Sequence, residues 1–127
     1  MADWVLDSSA VLASARKEPG GDIARTSFGT SLISAVNLTE VVSRLVDMGL
    51  SFEAARHVVD SAGFSIVGFD EGLALRAGAL RAATRHLGLS LGDRACLALA
   101  QREGLPVLTA DRAWAALDIG VEIRLIR

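Results

Sequence analysis

The sequence predicts an α/β protein, a mostly parallel sheet of about five short strands flanked by helices. Three observations carry this. Short apolar runs alternate with stretches of helical period, glycines and polar residues punctuate the boundaries, and no repeat, low-complexity tract or linker interrupts the alternation. The 127 residues suit one domain spanning 1–127. A chain of that length buries about 65 to 70% of its unfolded surface, so it folds without staples. With 51% hydrophobic and 22% charged residues, it is not a disordered chain.

The elements follow in order. Trp4-Val5-Leu6 is a first strand, followed by a helix from about Ser9 to Arg16 that stops before Glu18-Pro19-Gly20-Gly21. A short helix is expected from Asp22 to about Phe28, and a strand over Ser31–Val36. Leu38, Val41, Val42, Leu45 and Met48 then keep the i, i+3, i+4, i+7 spacing of an amphipathic helix, with Gly49 as its left-handed end. Ser51 caps a further helix, with Phe52, Ala55 and Val59 inward and Gly63 as its stop, before the strand Phe64–Phe69. Asp70 caps the longest helix, whose buried stripe is Leu73, Ala77, Leu80 and Leu87, and Gly88 ends it. Arg76, Arg81 and Arg85 lie outside that stripe, as a solvated helix face. An Ala- and Leu-rich helix over Gly92–Glu103 closes at Gly104. Pro106–Thr109 is a strand entering a short helix from Asp111, and Glu122–Ile126 is a last, edge strand.

Charge and composition narrow the chemistry. The net charge of −2 argues against coating nucleic acid by bulk attraction. Of the 13 basic residues only Lys17 is a lysine, so the cationic groups are guanidinia, suited to bidentate contact with phosphate or carboxylate. One cysteine, Cys96, excludes an internal disulfide and any CxxC pair and reads as a small core residue. The longest uncharged stretch, Thr26–Thr39, is rich in Ser, Thr and Asn and falls short of the ~18 apolar residues of a membrane span. Asp3 and Asp7 stand where a signal peptide needs cations, so the expected location is the cytosol.

In parallel sheets ligands bind beyond the carboxyl ends of the strands. Asp7 follows the first strand, Glu40 lies in the first turn after the second, Asp93 opens the helix after Gly92, and Asp111 opens the helix after the fourth strand. Each has a purely structural reading as well. Asn37-x-x-Glu40 and Ser90-x-x-Asp93 fit the capping box, Asp7 and Asp111 are good N-caps, and Glu40 can pair with Arg44. Together they point further, because four converging carboxylates raise one another's pKa unless a cation sits among them. His57 and His86 lie in helix bodies away from these junctions, so the donors are oxygens and the ion is hard, Mg²⁺ or Mn²⁺ rather than zinc.

Four segments, Val5-Leu-Asp-Ser-Ser-Ala-Val-Leu12, Asn37-Leu-Thr-Glu-Val41, Leu89-Ser-Leu-Gly-Asp-Arg-Ala95 and Val107-Leu-Thr-Ala-Asp-Arg-Ala-Trp114, closely resemble the PIN domain. More narrowly they resemble the VapC ribonuclease toxins of toxin-antitoxin modules, and the resemblance covers the whole chain. It implies that Asp7, Glu40, Asp93 and Asp111 form the family's acidic metal-binding and catalytic set, supported by Ser8 and Thr109. Gly92 departs from the pattern, standing where alanine is more usual. The resemblance further implies Mg²⁺-dependent hydrolysis of RNA, a VapB-like antitoxin whose C-terminal segment blocks the acids, and a homodimer. Arg94 and Arg112, each directly after an acid, are candidates for steering phosphate. Val11, Leu12, Ile23 and Phe28 are candidates for the antitoxin groove, while Trp114 reads as core and Asp118 as surface.

Two other readings compete. The same fold with capped helices and no catalysis would be a protein-binding module, which would not take up Mg²⁺. A receiver domain or a haloacid-dehalogenase-like phosphatase also puts an Asp after an early strand, but needs a second acid there, and this chain reads Asp7-Ser8-Ser9.

Overall fold

The computed structural model describes residues 1–127. The chain runs β1 (Trp4–Leu6), α1 (Ser8–Ala15), α2 (Gly21–Thr26), β2 (Ser31–Ser34), α3 (Ala35–Asp47), α4 (Phe52–Ala62), β3 (Ser65–Val67), α5 (Glu71–Thr84), α6 (Leu91–Glu103), β4 (Val107–Thr109) and β5 (Ile123–Leu125). Tight 3-10 turns cover Phe28–Thr30, Arg85–Leu87 and Arg112–Ala116. All five strands are parallel, in the order β3-β2-β1-β4-β5, so the expected edge position of the last strand holds.

The central strand β1 reads as a continuous apolar run because both faces of the sheet are covered there. Val5 and Leu6 are both wholly buried, yet their side chains enter different cores. Leu6, Ile33 and Leu108 pack with Ala10, Val41, Leu45 and Ala55 from α1, α3 and α4. Val5 and Val107 pack on the other side with Leu73, Ala77, Leu97, Leu99 and Trp114. Alternate residues of three-residue strands thus feed two hydrophobic layers.

Three expectations need correction. β2 stops at Ser34 rather than Val36, because the Ser34 hydroxyl accepts the Val36 amide at 3.2 Å and starts α3 there. Asn37 is therefore inside the helix and caps nothing, and Glu40 lies in the second turn. Met48 and Phe52, expected inward, are 44% and 60% exposed, because the α3–α4 connection turns them to solvent. Leu87 falls in a 3-10 turn beyond α5 and is half-buried. Elsewhere the caps at Ser51, Asp70 and Ser90 form, and α4 and α6 end at Gly63 and Gly104 with positive φ.

The sheet order positions the site. From β1 the chain goes out to β2 and β3 on one side, then returns to β4 and β5 on the other. Loops leaving the ends of β1 and β4 therefore diverge and leave a crevice between them, the switch point where open α/β sheets take ligands.

Candidate active site

Asp7 leaves β1 into that crevice. It occupies the N-cap position of α1 but its carboxylate caps nothing. Instead Asp7 Oδ2 accepts the Ser9 hydroxyl at 2.5 Å and the Thr109 hydroxyl at 2.9 Å. Ser9 Oγ in turn accepts the Ala110 amide at 2.9 Å, and Thr109 Oγ1 accepts the Asp111 amide at 3.0 Å. The ends of β1 and β4 are thus stitched together by hydroxyls from positions about a hundred residues apart. Ser9 carries half of that stitch, and its place in the Asp7-Ser8-Ser9 run was its only signal in the sequence.

Glu40 is held from a second direction. Its Oε1 accepts the Ser8 hydroxyl at 2.6 Å and the Asn37 amide nitrogen at 2.9 Å. Asn37, fully buried, also donates to the Gly92 carbonyl at 3.0 Å, tying α3 to the start of α6. Gly92 belongs to this contact: a Cβ there would overlap the Glu40 carboxylate. The departure at Gly92 is the space into which Glu40 folds. No ion pair joins Glu40 to Arg44, so Asn37 and Ser8 take the part expected of a capping box and a helical charge pair.

Asp93 forms the expected capping box with Ser90, its Oδ2 accepting the Ser90 amide at 2.9 Å. Asp111 caps the turn at Arg112–Ala116 through Oδ1, which accepts the Ala113 amide at 3.0 Å. The four carboxylates therefore share one arrangement. Each is anchored to the protein through one oxygen, and its second oxygen makes no hydrogen bond. All four line a single cavity of about 320 Å³ with Ser8, Ser9 and Leu12.

Electrostatics records their convergence. Burial, with smaller contributions from the Asp93 and Glu40 charges, pushes the Asp7 carboxyl up to about 6 against the pull of its hydroxyl donors. Partial burial likewise raises Asp93, with Glu40 and Asp111 adding to the rise. Cys96, wholly buried one turn along α6, has its thiol pushed up by burial and by the charges of Asp7, Asp93 and Glu40. This is the pattern of acids lacking their counter-ion. The donors are carboxylate and hydroxyl oxygens, which suit a hard divalent cation. As the side chains stand, no three acidic, histidine or cysteine groups close around one point.

The two arginines picked from the sequence do not join this cavity. Arg94 turns away, Nη1 donating to the Ala77 carbonyl of α5 at 3.0 Å, because the helical turn that aims Asp93 at the crevice aims its neighbour at α5. Arg112 is exposed and does not line the cavity. The arginines that do line it are Arg16, Arg44 and Arg127. Val11 and Phe28 line a neighbouring groove of about 560 Å³ between α1, α2 and α4, with Val58, Val59 and Ala62. Leu12 faces the acid cavity instead, and Ile23 is exposed.

Residues 4–120 match the PIN domain family. The chain belongs to it. Among solved structures the PIN fold of this chain is similar to DNA-bound VapBC from Salmonella typhimurium, with a TM-score of 0.76 at 20% identity over 100% of both chains. It is similar also to VapBC2 from Rickettsia felis bound to a promoter DNA fragment, TM-score 0.73 at 17% identity over 96% of this chain and 97% of that one. A third is VapC20 from Mycobacterium tuberculosis, a sarcin-ricin loop cleaving toxin, TM-score 0.69 at 14% identity over 94% and 99%. No curated protein matches the sequence. No helix of this PIN domain is long and apolar enough to cross a membrane.

Proposed function

We propose that this PIN domain is a VapC-type endoribonuclease toxin that hydrolyses RNA phosphodiester bonds with Mg²⁺, or Mn²⁺, at Asp7, Glu40, Asp93 and Asp111. The observation that carries the reading is the shared arrangement of the four acids. Four segments deliver four carboxylates to one cavity, each fixed through one oxygen and open at the other. Caps without a further role need no common cavity, and they do not raise one another's pKa.

Asp7 and Asp93 are the direct ligands in this reading, with Glu40 and Asp111 binding directly or through water. Bound there, the cation would lower the pKa of a water and neutralise charge on the scissile phosphate. The chain's own residues do the positioning. Ser9 and Thr109 fix the Asp7 carboxylate, Ser8 and Asn37 fix Glu40, and Ser90 fixes Asp93, so little reorganisation remains when substrate arrives. The raised pKa of Asp7 means that ionising it in the metal-free protein is unfavourable, and a cation repays that cost on binding.

The groove between α1, α2 and α4 is the docking surface we assign to a VapB-like antitoxin segment, since its lining is mostly apolar and it shares α1 with the acid cavity. A homodimer belongs to the same reading, and Val46, Met48, Phe52, Leu75 and Leu91 are exposed apolar side chains available to it. Light scattering at micromolar concentration checks the dimer.

The deciding experiment incubates purified protein with total cellular RNA in Mg²⁺, in Mn²⁺ and in chelator, beside Asp7→Asn, and maps new 5′ ends. Metal-dependent cuts at a few sites, absent from the variant, are expected. A folded, antitoxin-free protein that cuts under no metal would return the chain to the class of binding modules.

A further inference from the structure

Two of the three arginines at the acid cavity are joined by one carboxylate. Glu18 Oε1 stands 3.9 Å from Arg16 Nη1, and Glu18 Oε2 stands 3.6 Å from Arg127 Nη1. These are long contacts between side chains roughly a third exposed, the kind of pair that water competes for and that holds weakly. The third arginine, Arg44, lies one helical turn beyond Glu40 and has no ion pair at all. Four acids and a rim of three exposed guanidinia thus line one cavity, and one weak anion occupies two of the guanidinia.

The backbone that presents this rim is specially built. Lys17, between Arg16 and Glu18, is the chain's one non-glycine residue with positive φ, at 56°. That turn lets the Glu18 amide reach the Ala13 carbonyl at 2.8 Å and brings its side chain back beside Arg16. Gly20 and Gly21 then pass so close to Ile126 and Ala13 that a Cβ at either would strike a backbone carbonyl. The loop is thereby clamped between α1 and the segment after β5, and Arg127 Nη1 donates to the Pro19 carbonyl at 3.2 Å. Lys17 is the left-handed residue that closes α1, and the close approaches at Gly20 and Gly21 hold Arg16, Glu18 and Arg127 together at the edge of the cavity.

We infer that Arg16, Arg44 and Arg127 are the substrate-binding rim of this site, gripping backbone phosphates that flank the scissile bond, and that Glu18 is a stand-in anion displaced when RNA binds. The inference rests on the ribonuclease reading above. Its chemistry is that of guanidinium for phosphate: planar, bidentate, and stronger toward a phosphodiester than toward a solvent-screened carboxylate at 3.6 to 3.9 Å. The acids that would repel RNA are the ones that would hold the cation, and the exposed guanidinia of Arg16, Arg44 and Arg127 line the same cavity beside them.

The test uses Asp7→Asn protein, a fluorescent single-stranded RNA of mixed sequence and a salt series. R16Q, R44Q and R127Q are each expected to weaken binding several-fold and to flatten the dependence of log Kd on log salt by about 0.7, the value of one phosphate contact on a single strand. E18Q is expected to tighten binding several-fold, the opposite of what a merely structural Glu18 gives. In the active protein the arginine variants should raise KM and leave kcat little changed. Thermal melts establish that each variant is folded. Unchanged salt slopes in all three arginine variants, or weaker binding by E18Q, overturn the rim. If the rim fails while wild-type protein still cuts RNA with Mg²⁺, the ribonuclease reading stands without it; if wild type neither binds nor cuts, both fall.

Discussion

Asp7 concentrates the tension in the site. Its carboxyl titrates at about 6 in the folded chain against 3.8 for an ordinary aspartate. The native state therefore holds that proton more tightly than the unfolded state does. Stability from this group is greatest below 3.8, is lost as pH rises toward 6, and stays lost above it, a difference of roughly 3 kcal/mol. Asp7→Asn removes the charge and keeps an oxygen for Ser9 and Thr109, so in chelator at neutral pH it should melt several degrees above wild type while losing RNA cleavage. A variant that melts lower would contradict the assignment of burial as the cause. Gly92 makes a second prediction at this scale. Gly92→Ala gains helix propensity of up to ~1 kcal/mol but drives the Glu40 carboxylate off Ser8 and Asn37, at about 1 to 3 kcal/mol. Denaturant unfolding should find it destabilising in the wild-type background and stabilising beside Glu40→Ala, and equal effects in both backgrounds would show that the two side chains do not interact.

At the scale of elements, a helix start was legible wherever the capping residue stood outside the apolar run before it, as at Asp70, Ser90 and Asp111. It was misjudged at β2, where Ser34 lies inside a run that reads as strand, and the shift of the helix start by three residues moved Asn37 from a cap to a buried tether. Periodicity places a residue on a helix; it does not say which neighbouring helix the side chain meets. Arg94 shows the cost of that gap. Its guanidinium binds the Ala77 carbonyl and joins α5 to α6, so Arg94→Met should lower the melting temperature by a few degrees and leave the salt slope of RNA binding unchanged. A flattened slope would return Arg94 to the substrate path.

For the whole molecule, the four acids were readable because each follows its own apolar frame, whereas Arg16, Arg44 and Arg127 were not, since nothing local marks a residue that the sheet order alone brings to the crevice. Binding of Mg²⁺ to the native state only should stabilise the fold by about 2.7 kcal/mol at a hundred times its Kd, and that gain should vanish in Asp7→Asn. Calorimetric melts with and without Mg²⁺ measure it, and an equal gain in both proteins would put the cation elsewhere. The seam between β1 and β4 has a further meaning when the protein is being made. Ribosomes deliver Asp7 and Ser9 first, but their partners Thr109 and Ala110 come about a hundred residues later, and β1 and β4 cannot pair until then. A growing chain thus carries Asp7 and Glu40 without the other two acids, and the four carboxylates meet in one cavity only after β4 has emerged.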